Sequence, residues 1–368
     1  MTINKLYCAS VHTVCTVAPT VAIMALSPRE SGKFISSTAR NVFIDNENIK
    51  WPALAFVEAI ENSSFSLDKF LQCEFHPRHD DPLAVDWIFV LDTLNFSFWT
   101  ATGSKKWTVN GQTGYFALCA AVKRAIEEGK PIQDPAYYSK ITLSDVETIF
   151  RGDDEAVKIP LIHERVQVLH EAGKVLLSKY EGTFETCIKS CKRSAMKLLD
   201  LIIGEFKAYR DEAVYEGEKV SFYKRAQILI GDIWTCFKGR GIGEFHDINS
   251  ITMFADYRIP QVFLYVKAFR YSDSLLKKLQ SDELLENGSR EEVEIRGCSI
   301  ELVERICEEV ERLLESSKSF LQTPEAQETA KHVNAIMIDQ FLWDYRRRHA
   351  KTIDERNIPF HKTRCIYY

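Results

Sequence analysis

The sequence lacks the glycine and histidine motifs that mark several large enzyme classes. It has no GxGxxG loop, no GxxxxGK loop followed by Ser or Thr, no GxSxG elbow and no HExxH pair. Three glycines fall in "KGRGIGEF" at 238–245, but they follow helical rather than strand patterning, so we predict a turn between helices there. A dinucleotide-binding loop, a P-loop, an α/β-hydrolase elbow and a zinc-protease helix are therefore excluded.

Disulfide and metal signatures are missing as well. The ten cysteines include no CxxC pair, and no His/Cys cluster has the spacing of zinc ligands. Cys187 and Cys191 lie four residues apart, which on a helix places both on one face, as small core residues. Scattered, unpaired cysteines are typical of a reducing compartment. We therefore expect a cytoplasmic protein that needs no metal and no other cofactor.

The chain also lacks an excess of positive charge. Its 47 basic and 52 acidic side chains give a formal net charge of −5. The overall field offers no attraction for a polyanion such as duplex DNA, and nucleic-acid binding would need a local basic patch. We expect a monomer that acts on a small molecule and has no nucleic-acid polymer as partner.

A clear membrane span is absent too. Residues 6–27 are apolar and carry no acidic side chain, but the run contains Ser, His, Thr and Pro and lacks the length and purity of a spanning helix. We expect no membrane association. Residues 1–26 are predicted to be a dispensable or targeting N-terminal extension, with Met24 as an alternative start.

The chain has helical patterning and many hydrophobic residues that can form a core. Hydrophobic residues make up 45% of it, including 22 Phe, 14 Tyr and 6 Trp. Apolar side chains recur at helical spacing over four segments, 114–129, 144–152, 163–182 and 299–316. Ser144 and Glu147 are predicted to form a capping box. With no internal repeat and no long linker, the pattern predicts one compact, mainly α domain over residues 27–368.

Strand signals are few. "DWIFVLD" at 86–92 is predicted to be a short buried strand, and the Asn-Gly pair within 106–115 is predicted to close a hairpin. We therefore expect a small β element near residues 86–115. The polar stretches 281–293 and 318–331 are predicted to be surface loops or a connection between helices.

An aspartate stands in the apolar stretch "SITMFADYRIPQV" at 250–262. Burying Asp256 is unfavourable unless something pairs with it or uses it. The pattern alone leaves two interpretations open, a functional carboxylate and an ion pair with Arg258.

The aromatic segment "LDTLNFSFW" at 91–99 also allows two interpretations. Asn95 and Phe96 could belong to a core segment or to a stacking wall for a planar ring.

Two further acids lie in the helical stretch "IMIDQFLWDYRRR" at 336–348. Asp339 and Asp344 are five residues apart, about 140° around an ideal helix. They could face a cavity or pair with the arginines at 346–348. The pattern excludes neither possibility.

Basic residues fall at two places where a phosphate could bind. Lys224 and Arg225 stand near the start of an apolar helix, a position that suits a phosphate, although a solvated basic pair explains them equally well. The final stretch "NIPFHKTRCIYY" is unusually aromatic for a tail, so we predict that it packs onto the body and delivers a cation such as Arg364 to an anionic ligand.

Several of these blocks together resemble the queuosine salvage protein family. The resemblance spans about residues 27–368, and is carried in one order by "VLDTLNFSFW", "YKRAQILIGDIW", "TMFADYRIPQV", "VEIRGCS", "FLWDY" and "IPFHKTRCIYY". It implies an all-helical fold similar to the helix-hairpin-helix DNA glycosylases. It also implies hydrolysis of queuosine 5′-monophosphate to queuine, for use in tRNA modification, and ribose 5-phosphate.

The resemblance also implies roles for individual residues. Asp256 would be the catalytic carboxylate, Phe254 would stack on the deazapurine, and Asp339 and Asp344 would bind its polar groups. Queuine carries amino donors and a cationic aminomethyl arm, which suits a site with several acids. Further candidates for substrate binding are Tyr257, Asn95 and Phe96, with Lys224, Arg225 and Arg364 proposed for the phosphate from charge alone.

The implied reaction requires a group that stabilises positive charge on the ribose. An N-glycosidic bond breaks through a ribosyl transition state with oxocarbenium character, which a fixed carboxylate near C1′ stabilises while it orients or deprotonates water. A 7-deazapurine lacks N7, so protonation of that nitrogen cannot help the base leave. Two alternatives remain, a glycosylase acting on a nucleic-acid polymer and a non-enzymatic helical scaffold that binds queuine.

Overall fold

The protein is mainly α-helical, as the sequence predicts. The computed structural model describes residues 24–66, 72–316, 321 and 323–368. Its helices are, in chain order, α1 (Pro28–Thr38), α2 (Lys50–Glu61), α3 (Ala84–Thr93), α4 (Tyr115–Glu127), α5 (Pro135–Tyr138), α6 (Leu143–Ile149), α7 (Ile162–Lys179), α8 (Phe184–Ser190), α9 (Ala195–Glu205), α10 (Lys224–Cys236), α11 (Ile259–Tyr265), α12 (Asp273–Gln280), α13 (Arg290–Ser316), α14 (Pro324–Ala330), α15 (Ala335–Arg348) and α16 (Ala350–Glu355).

The strands in the described residues form three small antiparallel pairs. These are β1 (Val42–Ile44) with β6 (Phe269–Tyr271), β2 (Thr108–Val109) with β3 (Gln112–Thr113), and β4 (Glu212–Tyr215) with β5 (Glu218–Ser221). The predicted Asn-Gly hairpin is confirmed: Asn110 and Gly111 both have positive φ, at 53° and 69°, as a two-residue turn of type I′ requires.

The predicted strand at 86–92 is wrong, because this segment is the helix α3. All ten residues of α3 are buried. A helix enclosed on every side has no polar face, so it lacks the 3.6-residue stripe that identifies a helix in a sequence. The small β element is therefore limited to the hairpin, and α3 lies in the middle of the core.

The longest helix, α13, forms a spine against which α1 and α2 pack. Two glycines allow α1 to approach it closely. A Cβ at Gly297 would lie 2.5 Å from Ile35, and a Cβ at Gly32 would lie 2.8 Å from Ile300. Interiors are packed too tightly to absorb such atoms. The 299–316 stripe is thus the second half of a helix that already begins at Arg290.

Three predicted boundaries need correction. The capping box lies two residues earlier than predicted, between Thr142 and Asp145, whose side chains each accept the other's backbone N–H. The predicted loop 281–293 ends at residue 289, because α13 begins at Arg290. Within 318–331, α14 occupies the second half, while 318–320 and 322 lie outside the described residues.

Other local predictions are confirmed. The glycines of 238–245 lie in a turn after α10 that contains one short 3₁₀ segment, Gly241–Gly243. Cys187 and Cys191 are buried core residues, and each cysteine in the described part of the chain is a free thiol.

The two ends of the described chain are tied to the body. Leu26 donates its backbone N–H to the Lys219 carbonyl of β5 at 2.8 Å. At the other end, the Trp99 indole donates to the Thr363 carbonyl at 2.9 Å. The predicted packing of the tail is therefore confirmed, whereas residues 1–23 of the predicted extension lie outside the described residues. Among the described helices, none combines the length and apolarity needed to cross a bilayer.

Candidate active site

A cavity of about 1580 Å³ opens between α10, α15, the segment before α11, the 98–107 loop and the aromatic tail. It brings together residues that are far apart in the sequence. Of the residues predicted for catalysis or substrate binding, seven line it: Asn95, Lys224, Phe254, Asp256, Tyr257, Asp339 and Asp344. Aromatic and charged groups that converge in one large concave site are the expected mark of a binding site for a small molecule.

Asp256 is held by the backbone at the start of α11. Its Oδ1 accepts the backbone N–H of Arg258 at 2.7 Å and that of Ile259 at 3.3 Å. Its Oδ2 has no hydrogen-bond partner among the described residues. The carboxylate is therefore fixed in direction through one oxygen while the other remains available to a ligand in the cavity.

Arg258 does not neutralise Asp256 through an ion pair. Its guanidinium donates to the Gln261 side chain at 3.1 Å and lies 4.3 Å from the centre of the Phe360 ring. Of the two interpretations left open by the sequence, the ion pair with Arg258 is therefore not formed. The backbone of Arg258 orients the carboxylate, and its side chain contacts other groups.

Phe254 forms part of the cavity floor and is fixed from two sides. Its backbone N–H donates to Asp339 Oδ2 at 2.9 Å. Its ring lies against Gly231 of α10, where a Cβ would approach the ring to 2.7 Å. Burial and the nearby charge of Asp256 hold the pKa of Asp339 well above its usual range, despite this hydrogen bond.

Lys224 is buried, not solvated, which excludes the solvated basic pair. Only 5% of Lys224 and 1% of Arg225 is exposed. The Lys224 backbone N–H donates to Asp211 at 3.2 Å, and its Nζ lies 3.4 Å from the Asn95 carbonyl. Burial lowers the pKa of Lys224, while the charges of Asp256 and Asp92 act in the opposite direction. A buried cation, Lys224, therefore lines the same cavity as Asp256.

Three predicted residues lie behind the cavity wall instead of on it. Arg225 donates to the backbone carbonyls of Thr93 and Ala208. Arg364 stacks on Trp99, 3.5 Å from the ring centre, and donates to Ser97. Phe96 is fully buried beneath the guanidinium of Arg165, which lies 4.3 Å from its ring centre. These side chains support the wall from behind.

Asp344 lines the cavity nearer its mouth. Its Oδ2 pairs with Arg348 Nε at 3.1 Å, one helical turn along α15. Asp339 and Asp344 thus both reach the cavity from one helix, even though they are well separated around its axis. The two alternatives proposed for these acids are not exclusive, since Asp344 both faces the cavity and pairs with an arginine.

Sequence reasoning missed a further cavity acid, Asp232. It is 7% exposed, lines the cavity, and accepts a hydrogen bond from the Tyr115 hydroxyl at 3.3 Å. Burial and the charge of Asp92 raise its pKa well above the usual range. A signal existed in the sequence: Lys224, Ile228 and Asp232 follow an i, i+4, i+8 spacing, which places them along one side of α10.

An aromatic wall also escaped the sequence analysis. His76 stacks on Phe116 with their ring centres 6.0 Å apart, and Phe116 contacts Trp343 with a separation of 5.5 Å. The guanidinium of Arg347 lies 4.2 Å from the centre of the Phe116 ring. Because these residues come from three distant segments, only the folded chain assembles the wall. Within the described ranges, no group of three or more His, Cys, Asp or Glu side chains could hold a metal ion.

Comparison with known proteins gives consistent matches over nearly the whole chain. A family model described as "Queuosine salvage protein" matches residues 75–368. The chain is 46% identical to the mouse (Mus musculus) queuosine 5′-phosphate N-glycosylase/hydrolase over 347 residues, which cover 93% of this chain and 99% of the mouse protein. Proteins of the same name from Nematostella vectensis and Schizosaccharomyces pombe are 40% and 34% identical, covering 93% and 92% of this chain and 98% and 99% of theirs.

Proposed function

The chain belongs to the queuosine salvage protein family, and on that premise we propose that it hydrolyses the N-glycosidic bond of queuosine 5′-monophosphate. The products are queuine, which is salvaged for tRNA modification, and ribose 5-phosphate. Water supplies the hydroxyl that bonds to C1′ and the proton that the departing base takes up. One observation carries the proposal: a carboxylate with one fixed and one available oxygen, that of Asp256, lines the same cavity as the aromatic floor of Phe254.

Asp256 is the proposed catalytic residue. Positive charge builds on the ribosyl ring as the bond to the base breaks, and a carboxylate close to C1′ stabilises that charge. The same group can orient or deprotonate the attacking water. Since a 7-deazapurine offers no N7 to protonate, stabilisation of the sugar cation carries more of the barrier. The fixed direction of Asp256 supports this role, because preorganised groups need no reorientation during the reaction.

The base is proposed to stack on Phe254, with Tyr257 beside it. Asp339 and the Asn95 side chain offer polar partners for the donor groups of the base, and Asp344 offers another nearer the mouth. A carboxylate with a raised pKa, like Asp339, gains from hydrogen bonds that stabilise its charged form. These contacts would hold the base over Phe254 while its bond to C1′ breaks.

Lys224 is the cation we propose for the phosphate end of the nucleotide. Of the three basic residues considered for that role, it is the one that lines the cavity. Arg225 and Arg364 donate to groups behind the wall, so we assign them to support of the wall and not to phosphate binding. Phe96 supports Arg165 and Arg225 in the same way.

We further propose a monomeric, cytoplasmic enzyme whose substrate is a free nucleotide. The net charge of −5 supports a small-molecule substrate over a nucleic-acid polymer. Residues 27–368 would form the catalytic domain, and the predicted similarity to the helix-hairpin-helix DNA glycosylases stays a prediction.

The test is incubation with queuosine 5′-monophosphate, queuosine and GMP in parallel, followed by chromatography for the free base. We expect queuine from queuosine 5′-monophosphate and no guanine from GMP. Release of base from GMP alone would overturn the assigned substrate. The queuosine arm measures how much the phosphate contributes.

A further inference from the structure

Asp232 is a buried acid in the cavity that the proposed chemistry does not use. It is 7% exposed, and none of the described Lys, Arg or His side chains forms an ion pair with it. The neutral hydroxyl of Tyr115 donates to Oδ2 at 3.3 Å. A buried carboxylate is normally paired with a cation. The structure therefore leaves Asp232 facing the cavity with one neutral partner.

The other acids near the ligand space have partners or proposed roles. Asp339 accepts the Phe254 N–H, and Asp344 pairs with Arg348. Asp256 is oriented by α11 and assigned to C1′. Asp232 differs from these acids because its partner supplies neither a charge nor a backbone N–H.

The position of Asp232 relative to the base platform follows from α10. Gly231, the preceding residue, lies against the Phe254 ring, where a Cβ would be 2.7 Å from Cζ. Asp232 is therefore adjacent to the surface on which the base is proposed to stack. Lys224 is two helical turns away from Asp232 on the same side of α10. Asp232 and Lys224 would therefore contact different parts of the substrate.

The electrostatic surroundings of Asp232 favour the arrival of a cation. Burial raises its pKa, and the negative charges of Asp92 and Asp339 add to that effect. Lys224 acts in the opposite direction through its charge, but it does not contact Asp232. A ligand cation at this point would restore the ionised form and add a charge-assisted hydrogen bond.

We propose that Asp232, supported by Tyr115, determines substrate specificity by accepting the cationic amine of the base's aminomethyl arm. This inference rests on the proposed function, because it concerns the same cavity and substrate. In this proposal, the buried carboxylate of Asp232 is what lets the enzyme distinguish queuine from bases that have no charged arm. Such discrimination is strong when a buried polar group would be left unpaired with the wrong ligand.

The test compares a cationic base with a neutral one. Dissociation constants for queuine and for 7-cyano-7-deazaguanine, which share the bicyclic ring, are measured calorimetrically with the wild-type protein and with Asp232→Asn. We expect the variant to bind queuine on the order of 10- to 100-fold more weakly, the usual range for a hydrogen bond to a charged group. Binding of the neutral base should change by less than about threefold.

Two further variants keep the result interpretable. Asp86→Asn alters an acid of equal burial, 8% exposed, which accepts the Thr183 hydroxyl away from the cavity; it should leave both dissociation constants unchanged. Tyr115→Phe keeps the carboxylate and removes its neutral partner, so it should weaken queuine binding less than Asp232→Asn does. If Asp232→Asn does not fold, Tyr115→Phe decides, since equal effects on the two bases would contradict the proposal.

The outcomes separate this inference from the proposed function. Unchanged queuine binding in Asp232→Asn, or an equal loss for both bases, would overturn the role of Asp232 even if the wild-type enzyme hydrolyses queuosine 5′-monophosphate. Conversely, charge-selective binding that disappears in Asp232→Asn would support the role of Asp232 even if no hydrolysis were detected, and the failure would then lie with the proposed reaction.

Discussion

The Nε of Arg296 donates a hydrogen bond of 3.0 Å to the carbonyl oxygen of Ala255, the residue immediately before Asp256. The same guanidinium forms a bidentate pair with Asp211, whose carboxylate accepts the backbone N–H of Lys224. Its faces lie 4.1 Å from the rings of both Phe222 and Tyr368. One buried arginine of α13 thus connects the segment that carries Asp256 with the start of the helix that carries Lys224.

Arg296→Lys should therefore slow catalysis without abolishing binding. A lysine keeps the charge but cannot reach Asp211 and Ala255 together with one ammonium group. We expect kcat to fall by about 10- to 100-fold with KM within about threefold, because small displacements of a catalytic group are enough for such losses. Steady-state kinetics with queuosine 5′-monophosphate measures the two parameters separately.

Glu294→Gln is the matched control for Arg296→Lys. Glu294 is buried two residues away on the same helix, and it accepts the backbone N–H groups of Arg40 and Asn41, outside the cavity. It should reduce stability and leave kcat unchanged. A similar fall of kcat in both variants would show that Arg296 acts only through overall stability.

Gly231→Ala should damage the base platform. The new methyl group would lie 2.7 Å from Cζ of Phe254, so the ring must move. We expect a loss of about 1–3 kcal/mol in the free energy of unfolding from overpacking, with weaker queuine binding as the ring tilts. Chemical denaturation and calorimetry measure the two effects.

Gly204→Ala provides the comparison for Gly231→Ala. Gly204 is also a helical glycine, on α9, but nothing lies within 4 Å of a Cβ placed there. Replacing an unhindered helical glycine by alanine usually stabilises a protein by about 0.5–1 kcal/mol. Equal effects of the two alanine variants on queuine binding would show that the position of the Phe254 ring does not matter for binding the base.

Asp92 should make the protein less stable as the pH rises toward neutrality. Burial raises the pKa of this fully buried carboxyl to about 7, and its Oδ2 has no hydrogen-bond partner in the described part of the chain. A raised pKa means that the folded state binds more protons than the unfolded state, so stability falls between about pH 4 and pH 7. Asp92→Asn removes this penalty, and its stability relative to wild type should increase over that window by on the order of a few kcal/mol.

Urea denaturation of wild type and Asp92→Asn at pH 5 and pH 8 tests this difference. Asp153→Asn serves as the control, because hydrogen bonds from the Gly111 and Asn110 N–H groups lower the pKa of Asp153. The contribution of Asp153 is lost only when the pH falls below its ordinary value, so its difference from wild type should stay constant from pH 5 to pH 8. A constant difference for Asp92→Asn as well would refute the assigned shift.

Ionic strength distinguishes a nucleotide hydrolase from an enzyme that acts on a polymer. Binding along a nucleic acid releases many counterions and weakens steeply with salt. A single phosphate held near Lys224 should give a shallow dependence, with kcat/KM for queuosine 5′-monophosphate falling less than about tenfold between 50 and 200 mM salt. A steep loss would favour the polymer alternative.

The sequence identified the helices that have a polar face, but it did not identify every helix that lacks one. The stripe of α7 and the second half of α13 were recognised because one side of each contacts solvent. α3 was mistaken for a strand because all its residues are buried. Asp232 escaped notice for a related reason. Twelve of the thirteen residues of α10 are buried, so a cavity-facing acid does not stand out from a core-facing one.

Residue type predicted which residues form the site better than it predicted where their side chains point. Asp256, Phe254, Asp339 and Lys224 do meet in one cavity. Charge alone could not tell that Arg225 and Arg364 donate to groups behind the wall, since this depends on how α3 and the tail pack against α10. Direction of a side chain is a property of tertiary packing, which a one-dimensional pattern does not contain.

The catalytic role proposed for Asp256 is tested by the activity of Asp256→Asn. Asparagine keeps an oxygen that can accept the Arg258 and Ile259 N–H groups, so the fold should be retained and circular dichroism should match wild type. Loss of the negative charge should lower the rate of queuine release from queuosine 5′-monophosphate by about 10²–10³-fold or more. Folded Asp256→Asn that releases queuine at the wild-type rate would contradict the assignment of Asp256 as the catalytic carboxylate.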